Sequence, residues 1–176
     1  LLPREWTVAD VGTGTGYLLP LLSRRFDRVI AVDSVPAMLE LARARPGFRE
    51  TCEVEFHPGD LSALPIEDCR VDLCLASLVL HHVASPASAL AELARITKPG
   101  GRLLIIEQQA HQHVAFYDLM QDRSWGFDPA VLAQQVGQVG FEAVEWSPLE
   151  SAEPTHAQAP EAPELFVMTA VRKTKR

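Results

Sequence analysis

Short apolar runs alternate with amphipathic stretches along the whole sequence, and this alternation limits the fold more than any other feature. "WTVADVG" (residues 6–12) reads as a buried strand, and "RVIAVD" (28–33) reads as a second. Between them "GYLLPLLSRRF" (16–26) is amphipathic at helical spacing, with Pro20 near its start. "SVPAMLELARAR" (34–45) is a helix with Ser34 as N-cap and Pro36 in its first turn, and its apolar stripe is Met38, Leu39, Leu41 and Ala42. "EVEFHPGD" (53–60) alternates cleanly, as a strand near an edge does, and "SALP" (62–65) is a loop. "VDLCLAS" (71–77) is a fourth strand. "PASALAELARIT" (86–97) is a helix capped by Ser85, the turn "KPGG" (98–101) ends it, and "RLLIIEQ" (102–108) is a fifth strand.

Beyond that point residues 114–122 are expected to be helical. Residues 128–140 form a helix capped by Asp128 and stopped by Gly140. Residues 141–149 and 165–173 are the last two strands, joined through a Pro-, Ala- and Glu-rich loop (150–164) expected to be mobile. Strands alternating with helices require right-handed crossovers, which give a mostly parallel α/β sheet covered on both faces. The last two strands have no helix between them, so they form a hairpin and put one antiparallel strand in the sheet.

A chain of 176 residues suffices for a single domain with a sizeable core, spanning residues 1–176. It starts on Leu rather than Met and enters a strand almost at once. That is the pattern of the C-terminal part of a longer protein, lacking an N-terminal cap or upstream domain. The net charge of −7 argues against a nucleic-acid surface, since neutralising phosphates takes clustered Lys and Arg. "RKTKR" at the C-terminus reads as a solvated tail. Three cysteines without metal-type spacing (Cys52, Cys69 and Cys74) fit a reduced, cytoplasmic setting. No apolar stretch is long enough to span a bilayer.

"VADVGTGTGY" (8–17) follows the first strand, where doubly wound sheets bind ligands. Glycines there let the backbone approach a ligand, and the next helix offers free N–H groups. A triphosphate loop needs Lys and Ser/Thr after its last glycine, but Gly16 is followed by Tyr17 and Leu18. A dinucleotide turn needs its third glycine three positions after the second, and Tyr17 holds that slot, which weakens a hydride-transfer reading. What remains is Asp10 ahead of Gly12, Gly14 and Gly16, with a second acid, Asp33, ending the next strand.

This pattern resembles the class I S-adenosylmethionine-dependent methyltransferases. "FHPGDLSALPIEDCRVDLCLAS" resembles the family's next two motifs, and "SLVLHHVASPASALAELARITKPGGRLLIIE" resembles the stretch from its fourth strand through its fifth. "ALP…VDL" and "LHHV" look like the group around the quinone-biosynthesis methyltransferases. "WGFDPAVLAQQVGQVGF" (125–141) looks like methyltransferase domains fused behind winged-helix metalloregulators. Thr13 stands where relatives often have Cys, and the cysteines here do not resemble the set that arsenic-methylating relatives use. The resemblance implies a Rossmann-like, doubly wound seven-stranded sheet of order 3-2-1-4-5-7-6 and S-adenosylmethionine as methyl donor.

The resemblance also implies site roles. Asp10, Gly12, Thr13, Gly14 and Gly16 form the donor's turn, with Asp10 organising it and helping to bind the ammonium end directly or through water. Asp33 takes the ribose hydroxyls, which suits a two-oxygen acceptor. Asp60 bonds the adenine amino group, with the Leu61 backbone beside the ring. Ser34, Met38, Gly59, Ser77 and His82 complete the expected donor seat. The expected partner is a small-molecule acceptor, with no nucleic-acid or membrane binding by this segment. Any dimer contact is expected in an upstream segment.

His81 and His82 follow the fourth strand, where the methyl group should point. His82 reads either as a contact to the donor's methionine part or as a base on the acceptor. The plainer reading of His82 is a structural histidine bonding a loop carbonyl. His111 lines the same open edge as a second base candidate. "HQH" (111–113) has no third ligand assignable by spacing, so no metal is assigned. Tyr117, Trp125 and Phe127 shape an acceptor site or pack on the sheet. The competing functions are a non-catalytic donor-sensing module of a fused regulator and, less favoured, a nicotinamide-dependent oxidoreductase.

Overall fold

The structure, a computed structural model, describes residues 2–114, 117, 123–149 and 163–174. Its strands are β1 (Thr7–Val11), β2 (Arg28–Asp33), β3 (Glu53–Pro58), β4 (Val71–Ser77), β5 (Thr97–Gln108), β6 (Phe141–Leu149) and β7 (Leu165–Arg172). Its helices are α1 (Leu19–Arg25), α2 (Pro36–Ala44), α3 (Pro86–Ile96) and α4 (Pro129–Gln138), with a 3-10 turn at Leu80–His82. The strands form one sheet in the order 3-2-1-4-5-7-6. Pairs from β3 across to β5 are parallel, and β7 runs antiparallel to both neighbours. The expected order, the edge position of β3 and the closing hairpin all hold.

Strand parity divides the core. Val8, Val29, Ala31, Leu73 and Leu75 face Leu19, Leu22, Phe26 and Ala42 on the α1–α2 side. Ala9, Val11, Ile30, Val32, Cys74, Ala76, Leu103 and Ile105 face Leu90, Leu93, Leu132 and Val136 on the α3–α4 side. Side chains alternate faces along a strand, so a central strand covered on both sides buries every position, and its polar residues, here Thr7 and Asp10, need hydrogen-bond partners. All five residues of β1 are buried accordingly.

Four local expectations need correction. The helix expected from Gly16 starts at Leu19, with Pro20 in its first turn. Residues 16–18 finish the glycine turn instead, through Gly16 N donating to the Thr13 carbonyl at 2.9 Å. Ser34 is not the cap of α2. Pro36 forces the residue before it out of helical geometry, so Val35, extended at φ −104°, is the N-cap. Of the expected stripe, Leu39 and Ala42 are buried while Met38 and Leu41 are exposed.

The tetrad "KPGG" does not end the helix as a free turn. Thr97 already pairs with Val71, and Arg102 pairs with Leu73, so the tetrad is looped out as a bulge within β5. A Cβ on Gly101 would stand 3.0 Å from the Asp72 carbonyl, and Lys98 Nζ pairs with Asp72 at 2.8 Å beside it. The caps of α3 and α4 are as expected. Ser85 Oγ accepts from Ser88 N at 3.3 Å, and Asp128 Oδ1 accepts from Ala130 N at 2.8 Å. The expected helix over 114–122 and the loop over 150–164 fall largely outside the described residues.

Candidate functional site

The carboxyl ends of β1, β2 and β4 open into a cavity of about 730 Å³. Gly12, Gly14, Asp33, Ser34, Met38, Asp60 and Leu61 line one side, and Leu78, Val79, His82, Ser85 and Arg123 line the other. Cavities of about 300–1,000 Å³ hold drug-sized ligands.

The turn that floors the cavity depends on glycine at two positions for different reasons. At Gly12, φ is +74° and a Cβ would stand 2.2 Å from Val79 Cγ2, so backbone conformation and packing both exclude a side chain. At Gly14, φ is +54°, yet no atom lies within 4 Å of where a Cβ would be. The turn is anchored from below by Gly12 N and Thr13 N, which both donate to the Val32 carbonyl, at 2.8 and 2.9 Å.

Asp33 ends β2 at the cavity's edge. Its Oδ2 accepts Gly14 N at 2.8 Å and its Oδ1 accepts Val35 N at 2.9 Å, which fixes the carboxylate against the turn and leaves further lone pairs on both oxygens. Asp60 follows β3. Its Oδ1 accepts Ser62 Oγ at 2.5 Å and Ser62 N at 2.8 Å, and these bonds hold its carboxyl below the usual range. The lining carries the carboxylates of Asp33 and Asp60 together with Arg123, and no Lys directly follows the last glycine as a triphosphate loop requires.

Several expected residues lie behind the wall. Asp10 is 3% exposed and does not line the cavity; its Oδ2 accepts the Thr13 hydroxyl at 2.6 Å. Burial pushes its carboxyl up to about 6; the Thr13 bond opposes that rise and the nearby Asp33 charge adds to it. Asp10 thus braces the turn through Thr13 from behind the cavity wall; of the two expected routes to an ammonium group, direct or through water, its side chain is not on the lining for the direct one. Thr13, Gly16, Gly59 and Ser77 are also off the lining. At Gly59 a Cβ would stand 2.4 Å from Pro65 Cδ, so its glycine answers to packing.

Of the two base candidates, His82 lines the cavity and His111 does not. His111 Nε2 bonds Gln108 Oε1 at 3.1 Å, and its Nδ1 accepts His113 N at 3.2 Å. Its ring meets Trp125 edge-on at 5.8 Å, and Trp125 stacks on Tyr117 at 4.0 Å. Among the described residues no three His, Cys, Asp or Glu side chains gather as metal ligands.

His81 is fully buried and bonds a carboxylate. Its Nδ1 donates to Glu107 Oε1 at 2.5 Å, and its Nε2 meets Gln108 Nε2 at 3.2 Å. Its own carbonyl accepts Arg123 N and Ser124 N, at 2.9 and 3.1 Å. Sequence reasoning missed both Glu107 and Arg123. A signal for Glu107 existed, because an acid in phase with Leu103 and Ile105 on a buried strand must itself be buried. For Arg123 there was none, since its place depends on a loop folding back onto His81.

A family profile described as a methyltransferase domain matches residues 9–105. The malonyl-[acyl-carrier protein] O-methyltransferase of Serratia marcescens is 39% identical over 54% of this chain and 35% of its own length. The demethylmenaquinone methyltransferase of Deinococcus radiodurans is 36% identical over 57% of this chain and 42% of its own length. The chain thus spans well under two thirds of these relatives. Among solved structures, a SAM-dependent methyltransferase from Aquifex aeolicus superposes with a TM-score of 0.73 at 23% identity, covering 97% of this chain and 85% of that one. Haemonchus contortus phosphoethanolamine N-methyltransferase 2 in complex with S-adenosyl-L-methionine gives 0.79 at 15% identity, over 99% of this chain and 50% of that one. The profile match spans the glycine turn, Asp33, Asp60 and the β4–β5 core, and the chain belongs to the class I S-adenosylmethionine-dependent methyltransferases.

Proposed function

We propose that this chain binds S-adenosylmethionine in the β1–β2–β4 cavity and transfers its methyl group to a small-molecule acceptor. The observation that carries this reading is Asp33, fixed by Gly14 N and Val35 N at the edge of the cavity beside the glycine turn.

The bound donor would supply a sulfonium methyl with a thioether leaving group, so the reaction is a displacement that needs alignment and desolvation more than acid or base. Asp33 offers its remaining lone pairs to the ribose diol. Asp60 Oδ2, on the side away from Ser62, is the acceptor for the adenine amino group, with Leu61 packed beside the ring. Gly14 leaves room for the methionine end, and Asp10 stiffens the turn from behind. His82, on the opposite wall, meets the methionine end or takes a proton from the acceptor. A small acceptor enters from the side of His82 and Arg123. The three free thiols suit a reduced, cytoplasmic setting, and among the described residues no helix is long and apolar enough to cross a membrane.

A thermal-shift panel of S-adenosylmethionine, S-adenosylhomocysteine, NADH and ATP tests the reading. Ligand at 100 times Kd stabilises by about 2.7 kcal/mol, which raises Tm by about 5–10 °C for a domain of this size. The first two ligands are expected to give that shift, and Asp33→Ala is expected to lose most of it. A shift with NADH alone would return the chain to the oxidoreductase reading. Donor binding with no methyl transfer across small acids, phenols and amines would favour a sensing module.

A further inference from the structure

We propose that Glu107 is a positioning residue that sets the far wall of the donor cavity through His81; this rests on the donor-binding reading above. Glu107 ends β5 and is fully buried. Its phase places it with Leu103 and Ile105, where an apolar side chain would pack without the cost of burying a carboxylate. What the carboxylate adds is direction. Oε2 accepts Leu80 N at 2.8 Å and His81 N at 3.3 Å, and Oε1 accepts His81 Nδ1 at 2.5 Å and Gln108 N at 2.9 Å.

Three of those four donors belong to the 3-10 turn that carries His82 into the cavity. The segment needs external support. Leu78 is held at φ +52°, a conformation unfavourable for a leucine, and Val79 is packed where a Gly12 side chain would go. The same His81 then reaches the opposite way. Its carbonyl takes both Arg123 N and Ser124 N, which seats Arg123 on the lining. One buried carboxylate therefore fixes two irregular segments, and each contributes a side chain to the cavity.

Glu107→Gln keeps the shape but turns an NH2 toward backbone N–H donors, which lose their acceptor. Ile96→Ala is the control. It opens a hole at the far end of α3 from the cavity-lining Ser85 and Ser88, about 12 Å or more along the helix. Calorimetric titration with S-adenosylhomocysteine is expected to show Kd raised at least tenfold by Glu107→Gln. Ile96→Ala, at a similar loss of Tm, should leave Kd within twofold. Amide exchange at residues 80, 81, 123 and 124 should quicken at least tenfold in Glu107→Gln, with β1–β3 unchanged. A downfield imidazole N–H resonance from His81 should disappear. If Glu107→Gln does not fold, His81→Ala carries the test: it should weaken binding, and His81→Asn, which restores an N–H near Nδ1, should recover most of it. An unchanged Kd in Glu107→Gln, equal weakening by Ile96→Ala, or wild-type exchange at 123 and 124 would overturn the proposal. A wild-type protein that binds no S-adenosylhomocysteine overturns the donor reading instead, and exchange at 123 and 124 still decides the role of Glu107.

Discussion

The Thr13 hydroxyl donates to Asp10 Oδ2 across 2.6 Å, beneath the glycine turn and away from the cavity. Burial raises the Asp10 carboxyl to about 6, above its value in an unfolded chain. Between about pH 4 and 6 the folded state therefore holds more proton at this site than the unfolded state. Stability falls as pH rises through that window, and the cost is fully present above it. Asp10→Asn removes the titration while keeping an oxygen for Thr13. The stability of Asp10→Asn relative to wild type should rise by about 2.5 kcal/mol between pH 4 and pH 7.5, measured by urea unfolding at both. A difference that stays constant with pH would contradict the assignment.

Gly12 and Gly14 both carry positive φ, yet their alanine variants should part company. Gly12→Ala meets Val79 at 2.2 Å as well as the backbone penalty, so a cost of about 3 kcal/mol is expected. Gly14→Ala meets no neighbour and should cost only about 1 kcal/mol, while its methyl, on the cavity lining, weakens S-adenosylhomocysteine binding more than tenfold. Denaturant midpoints and calorimetric Kd values on the two variants separate the effects.

Arg95 bonds Glu92 through both carboxylate oxygens at 2.7 Å, and also reaches the Leu64 and Ile66 carbonyls and Asp68. This fork ties the loop after Asp60 to α3, and the carboxylates hold the guanidinium firmly charged. Lys has three donors on a single nitrogen and cannot reproduce the fork. Arg95→Lys should cost about 1–2 kcal/mol in urea unfolding. A smaller loss than Arg28→Lys, whose pair with Glu53 is exposed, would contradict this.

The thiols should react in a fixed order. Cys69 is exposed, Cys52 is half-buried with its thiol pushed up by burial, and Cys74 is fully buried with its thiol pushed far above the ordinary range by burial and by Asp10. A disulfide reagent at pH 8 should label Cys69 first and Cys52 more slowly. Cys74 should wait for unfolding, as mass spectrometry of each peptide would report.

The elements that were legible in the sequence carry local signals. β2, β4 and β6 match their apolar runs, and Asp128 and Ser85 cap the helices they precede. The corrections came wherever a residue's role depends on a distant part of the chain. Ser34 reads as a cap until the Pro36 ring pushes Val35 out of helical geometry. "KPGG" reads as a turn, but β4 pairs with β5 on both sides of it. Asp10 reads as a ligand contact because it stands beside the glycines, yet strand parity turns it into the core. Asp33, Asp60 and His82 reach the cavity as expected because each follows directly from a strand end.

The sheet order has a consequence for synthesis. β7 is the last of these seven strands to leave the ribosome, yet it lies between β5 and β6, pairing with β5 from Arg102 to Gln108 and with β6 from Phe141 to Leu149. Until residues 165–172 emerge, β6 has no partner and the apolar β5 presents an open edge. A nascent chain stalled before that point holds β1–β5, including the strand ends that line the cavity, but carries an adhesive edge, the kind of intermediate that chaperones exist to shield.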